Sequence, residues 1–224
     1  MRSLQELWQF RALIVALVGR HVRSRYRGST LGFVWSFLNP LCLILVYALV
    51  FKYYIRFDQV ENYTLFLFTG LLPWIWFSSG LIEATSSISA GGSLITKAMF
   101  PPQILPVVVA LTTLVNFLFA LPLLFLFMGY SNVPITLSVL FLPLVIFLQL
   151  VFLIGLSLAC SALNVYFRDI QHILGNLMTL WFFLCPILYP LSSVPEKFQI
   201  TLQINPIAHF TQMYHKIFLD GVFP

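Results

Sequence analysis

The chain has 224 residues, of which 60% are hydrophobic and 8% charged, and its formal net charge is +5. A soluble domain carries about a quarter charged residues to keep its surface in water, so this composition excludes one and makes lipid the expected solvent. The positive balance does not point to nucleic acid: six of the twelve basic residues fall in the first 27 positions beside apolar runs, where anionic headgroups supply the counter-charge.

Charge-free stretches run past the roughly 20 residues that cross a bilayer core as a helix. Stretches such as Leu137 to Leu158 lack the polar alternation of a membrane β-barrel. Helices remain, and the expected fold class is all-α integral membrane, with five transmembrane helices preceded by an amphipathic interfacial helix.

In residues 1–30, Leu4, Leu7, Trp8, Ile14, Val15, Val18 and Val22 recur at helical spacing, with Arg2, Glu6, Gln9, Arg20 and Arg23 mostly elsewhere. This predicts a cytoplasmic helix lying on the membrane surface. Arg11 sits close to the apolar face, where its long stem can lie on apolar surface and its head reach the phosphates. Some thirty mixed residues precede the first long apolar run, so no cleaved targeting sequence is expected.

Residues 31–190 form the expected transmembrane domain, with spans at about 31–53, 63–86, 104–130, 135–160 and 174–189. Lys52, Arg56, Asp58 and Glu61 end the first. Gly91 and Gly92 break the helix after the second, Ser93 to Lys97 is polar, and Phe100, Pro101 and Pro102 punctuate before the third. From Ala98 to Phe167 there is no charge at all; the run is too long for one helix, and Gly129 through Pro134 supplies a turn. Arg168, Asp169, Gln171 and His172 follow span four. Residues 191–224, with Pro195, Glu196, Lys197, Asn205, Pro206 and Asp220, offer short apolar pieces that suit an interfacial or re-entrant, extracytoplasmic gate-like segment. With a cytoplasmic N-terminus the inner face would hold eight Lys and Arg against four outside, which sets the expected orientation.

Cys42, Cys160 and Cys185 lie in apolar runs without CxxC spacing, and His172, His209 and His215 form no ligand pattern, so neither a metal site nor covalent catalysis is expected. Glu83 is the one acid inside a span, where a buried carboxylate costs roughly 2.5 kcal/mol or more. It should face protein or water, or carry a proton. Arg25 and Arg27, with Tyr26 between them, end the surface helix where cations meet lipid phosphates and the negative helix terminus; anchoring explains that pattern as well as ligand contact does.

Residues Arg25 to Pro40, RYRGSTLGFVWSFLNP, closely resemble the start of permease subunits of ABC-2 type polysaccharide exporters, which move lipid-linked O-antigen, capsule or teichoic acid chains. The resemblance continues in order through FTGLLPWIWF at Phe68 to Phe77, LITKAMFPPQILP at Leu94 to Pro106, LNVYFRDI at Leu163 to Ile170, CPILYP at Cys185 to Pro190 and NPIAHF at Asn205 to Phe210. It implies a homodimer in the bacterial inner membrane whose subunits line one channel, each docked on a cytoplasmic ATP-binding subunit. No cofactor is implied in this subunit, since ATP and Mg belong to the partner, and the sequence contains no GxxxxGK[ST] loop.

The resemblance also implies site residues. Gly91 to Phe100 matches a coupling helix, with Ser93, Leu94, Thr96, Lys97 and Phe100 against the ATPase, and Arg168 and Asp169 form a second cytoplasmic contact. Arg25, Tyr26 and Arg27 would receive the lipid pyrophosphate. From their residue types rather than from the resemblance, Trp74, Trp76, Phe77, Trp181, Phe182 and Tyr189 would offer aromatic faces to sliding sugar rings or act as membrane anchors, and Glu83 would offer a polar group to sugar hydroxyls or to a neighbouring helix. Pro102 and Gln103 depart from the basic and acidic residues of the pattern. Family members normally continue into a sixth span, so an incomplete permease is expected here. The alternatives are an exporter of drugs or small lipids, a non-transporting scaffold, and an intramembrane glycosyltransferase, for which Asp58 and Glu61 are the only nearby pair of acids.

Overall fold

The computed structural model describes residues 7–26, 28, 32–54, 60 and 62–224, and among them there is no strand. The helices are α1 (Arg11–Tyr26), α2 (Trp35–Ala48), α3 (Tyr63–Ala90), α4 (Gly92–Ala98), α5 (Ile104–Tyr130), α6 (Leu142–Tyr166), α7 (Ile170–Phe183), α8 (Glu196–Ile204) and α9 (Pro206–His215). A π-helical turn, Leu49–Tyr54, continues α2, and another, Lys216–Asp220, continues α9. Arg56, Asp58 and Glu61, expected at the end of the first span, lie outside the described residues.

Three apolar helical stretches are long enough to cross a bilayer: Tyr63–Ala90, Ile104–Tyr130 and Leu137–Tyr166. The 14 residues each of α2 and α7 measure about 21 Å at 1.5 Å per residue, short of a ~30 Å hydrocarbon core. Pro40, Pro73 and Pro122 sit inside α2, α3 and α5. Helices in apolar surroundings tolerate proline when neighbours satisfy the freed backbone groups. Thr69, Thr85, Thr112 and Thr113 are buried, and each donates its hydroxyl to a carbonyl three or four residues back, so none remains unpaired among apolar side chains.

The chain divides into two compact units. The first unit holds residues 1–32, 76–116 and 150–177. In it α1 lays Ile14 and Leu17 on Phe100, Ile104, Leu105 and Val108, with Leu7, Phe10, Leu13 and Val18 around them. Trp8 and Val15, expected on the apolar face of a membrane-surface helix, are 71% and 72% exposed. Helix α1 therefore carries apolar residues on two faces, one packed on protein and one open to its surroundings. Arg11 stays on the open side, 5.3 Å from the Trp8 ring. Gly80 lets two other helices approach: a Cβ there would stand 2.8 Å from Thr113 Oγ1 and 2.9 Å from Leu153 Cδ2.

The second unit holds residues 33–75, 117–149 and 178–224. Gln149 Nε2 donates to the Pro73 carbonyl at 3.1 Å, and the side chain is buried. Ser138, also buried, donates to the Ile217 carbonyl at 2.9 Å. Such bonds fix helices whose apolar sides would otherwise pack in several registers. The turn between α5 and the next helix places Asn132 at φ +54°, a left-handed position that asparagine tolerates better than most residues.

Candidate functional site

The expected site residues fall into three groups, two in the first unit and a third, aromatic one with members in each unit. At the end of α1, Arg25 donates from Nη2 to Glu83 Oε1 of α3 at 2.8 Å, the single ion pair among the described residues. Their side chains are 42% and 43% exposed, so the carboxylate is not isolated: it has a cationic partner and keeps accessible surface. An exposed pair of this kind adds about 0–1 kcal/mol to stability, and its importance lies in position. It ties the C-terminal end of α1, where Arg20 and Arg23 are also exposed, to a helix long enough to span. Tyr26 closes α1, and Arg27 lies outside the described residues.

The second group surrounds α4. Gly91 caps it, and a Cβ there would collide with Leu105 Cδ1 and stand 2.9 Å from the Ser87 carbonyl, so only glycine allows this approach. Of the residues expected to face a partner, Phe100 is buried against α1, and Leu94 packs partly against the same cluster. Ser93 lies in α4. Thr96 and Lys97 are exposed, as is Met99, 88% accessible and held at φ +45° just past the helix. The surface this element offers is therefore Thr96, Lys97 and Met99, while Leu94 and Phe100 hold it in place. Sequence reasoning passed over Met99 because an isolated methionine in an apolar chain carries no signal; its left-handed backbone, rare for a side chain of that size, is what exposes it. Arg168 and Asp169 are exposed between α6 and α7.

Valine at Gly91 is expected to displace α4. Its effect should be a purified complex with a cytoplasmic ATPase reduced about tenfold in yield, because a Cβ at 2.9 Å from a backbone oxygen cannot be relieved by a rotamer change. Recovery of the complex at wild-type yield would refute the close packing.

The third group is aromatic. Trp74, Trp76, Phe77 and Phe182 are all at least nine-tenths buried within the subunit. In the second unit Trp74 and Phe182 pack at 5.7 Å between ring centroids, and in the first Phe77 stacks on Phe152 at 6.0 Å. Within the single chain these rings pack into the interior. Apolar composition alone cannot separate a lining ring from a core ring. Trp181 and Tyr189 keep accessible surface, yet both are anchored: Trp181 Nε1 donates to Asn205 Oδ1 at 2.9 Å and the Tyr189 hydroxyl to the Phe183 carbonyl at 2.9 Å.

Asn205 itself organises this end of the second unit. Its Oδ1 also accepts from the backbone N–H groups of Ile207 and Ala208, capping α9 with Pro206 at the first helical position. Its Nδ2 donates to the Leu184 carbonyl at 3.2 Å and to Cys185 Sγ at 3.4 Å. Tyr63 donates its hydroxyl to the Leu188 carbonyl at 2.7 Å, so the turn after α7 is held from α3 and from Asn205. His215 sits beneath, stacked on the Phe66 ring at 4.2 Å with Nε2 3.2 Å from the Phe66 carbonyl. Burial pushes its pKa down to about 4, against the opposing pull of that carbonyl, and the imidazole is neutral at pH 7. A carbonyl only accepts, so Nε2 carries the proton.

The sequence from residue 12 to residue 219 matches the model of the ABC-2 type transporter family. The chain belongs to that family. This ABC-2 protein is 44% identical over 227 residues to the O-antigen export system permease protein RfbA of Myxococcus xanthus, covering 100% of the chain and 86% of the relative. It is 34% identical to the protein of the same name from Klebsiella pneumoniae, over 94% of the chain and 81% of the relative. A more distant relative is the polysialic acid transport protein KpsM of Escherichia coli, 26% identical over 93% of the chain and 81% of the relative. An ABC-2 membrane subunit with all-helical structure and several apolar helices is what the residues and the fold jointly describe.

Proposed function

We propose that this chain is the membrane-spanning permease subunit of an ATP-driven exporter that moves lipid-linked polysaccharide across the bacterial inner membrane. The observation that carries the reading is 44% identity along the whole chain to a protein named as an O-antigen export permease. Relatives named for capsule and polysialic acid export agree in substrate class. The two short helices α2 and α7 join the three long ones as crossings, giving five, and the N-terminus lies in the cytoplasm, a topology supported by the excess of Lys and Arg beside α1, α4 and the α6 to α7 connection.

In this reading two copies line one path for the glycan, and ATP is hydrolysed on a separate subunit that seats against Thr96, Lys97 and Met99 of each copy and against Arg168 and Asp169. The exposed cations at the end of α1 meet the lipid pyrophosphate, Arg25 foremost. Of the aromatic residues, Trp181 and Tyr189 retain the surface needed to stack on sugar.

The test is co-expression with a cytoplasmic ATP-binding subunit of the ABC-2 exporter type, reading complex formation, stimulated ATPase activity and glycan outside the inner membrane. Lys97→Glu is expected to reduce stimulation about tenfold while the chain alone keeps its melting temperature, since Lys97 is exposed and its charge faces a partner. Unchanged stimulation in Lys97→Glu would remove α4 from the contact, and glycan that stays inside although the wild-type complex forms and hydrolyses ATP would overturn the exporter reading.

A further inference from the structure

The second unit contains a cavity of about 430 Å³ beside α9, within the about 300–1,000 Å³ span of small-molecule sites. Gln212, His215, Lys216, Leu219 and Asp220 recur at i, i+3, i+4, i+7 and i+8, so one face of α9 and its π-helical continuation runs along it. Asn62, just before α3, adds an amide, and Phe66, Pro186 and Pro190 supply apolar wall. The side chains of Asn62, Gln212, Lys216 and Asp220 make no hydrogen bond or ion pair with another described residue. Four polar groups of three kinds thus stand ready beside an apolar wall that two prolines stiffen.

The charges decide the ligand class. Among the described lining residues Lys216 and Asp220 cancel and His215 is neutral at pH 7, so these side chains together give a phosphate or an acidic sugar no net attraction. Amide, ammonium and carboxylate groups that donate to and accept from hydroxyls, set beside an apolar surface for ring C–H groups, match a neutral pyranose. We propose that this cavity is a binding subsite for an uncharged saccharide unit of the transported glycan, contacted by Asn62, Gln212, Lys216 and Asp220. The proposal rests on the exporter reading for its substrate and adds to it a place where the chain is held.

Saturation-transfer NMR on the full chain in lipid nanodiscs, with the methyl glycosides of glucose, mannose and N-acetylglucosamine and with methyl glucuronide as the charged control, tests it. Transfer to ring protons of at least one neutral glycoside is expected, weaker transfer to the glucuronide, and a loss of about tenfold in Gln212→Leu and in Asp220→Ala, the size of one or two missing hydrogen bonds. Absence of transfer from every neutral glycoside in the wild-type chain overturns the proposal whether or not the variants fold, and so does transfer undiminished in both variants or stronger for the glucuronide. Export measured on the same wild-type protein keeps the two readings apart: export without glycoside binding removes the cavity assignment alone, and glycoside binding lost in both variants without export upholds the subsite and removes the exporter reading.

Discussion

Asn205→Ala is expected to lower the melting temperature of the detergent-solubilised chain by about 4–16 °C. The substitution removes the cap of α9, worth about 1 kcal/mol. It also leaves the Trp181 indole N–H and the Leu184 carbonyl without their present partner, at about 1–3 kcal/mol for a buried group. A combined loss of about 2–4 kcal/mol corresponds to that shift at about 2–4 °C per kcal/mol in a chain of this size. Asn205→Asp divides the effect. It keeps acceptors for Trp181 and for the helix N-terminus, but turns an oxygen toward the Leu184 carbonyl where an N–H now stands. A smaller drop than for alanine is expected, and a wild-type melting temperature in both variants would show that Asn205 does not organise the turn.

The second large effect concerns transport and leaves stability almost untouched. Arg25→Glu is expected to cut glycan export about 10–100-fold, the loss of one charge-assisted contact of about 1.5–3 kcal/mol to a phosphate. The melting temperature should move little, because the pair with Glu83 is nearly half exposed. Glu83→Gln separates the two partners of Arg25: it frees the guanidinium and should leave export within about threefold of wild type, a change of under 1 kcal/mol. The exchanged pair, Arg25→Glu with Glu83→Arg, restores an ion pair while moving the cation to α3. Export restored by the exchange would make the tie between α1 and α3 the essential feature; export still lost would assign Arg25 to the ligand. Wild-type export by Arg25→Glu itself would dismiss both.

Much of the architecture is legible in the sequence because hydrocarbon leaves a chain few options. A run such as Ile104 to Tyr130, free of charge and longer than a bilayer core, has to satisfy its backbone internally and becomes a helix. Local punctuation is legible for the same reason, since Gly91 beside Ser87 and Pro206 after Asn205 act within a turn of chain. What cannot be read is which groups meet across the fold. Glu83 is visibly out of place in a span, but its partner lies 58 residues away, and no periodicity announces a pair at that distance. The sequence singles out Trp181 for its ring, whereas its position follows from Asn205, 24 residues on. Helix α1 shows a further limit: an apolar stripe names candidates for burial, and with apolar residues on two faces only packing decides that Leu17 goes in and Val15 stays out.

Helix α6 behaves differently from the others toward its environment. Only 22% of its apolar stretch is buried within the subunit, against 78% for α3, and its 25 residues extend about 37 Å, longer than a ~30 Å core. Such a rod has to lean or to draw thicker lipid around itself. One side of it is held by contacts such as Gln149 on the Pro73 carbonyl, while most of its circumference is left to the neighbours it meets in the membrane plane. Acyl-chain length thereby becomes a mechanical input to this protein, applied along a long helix most of whose surface its own subunit leaves uncovered.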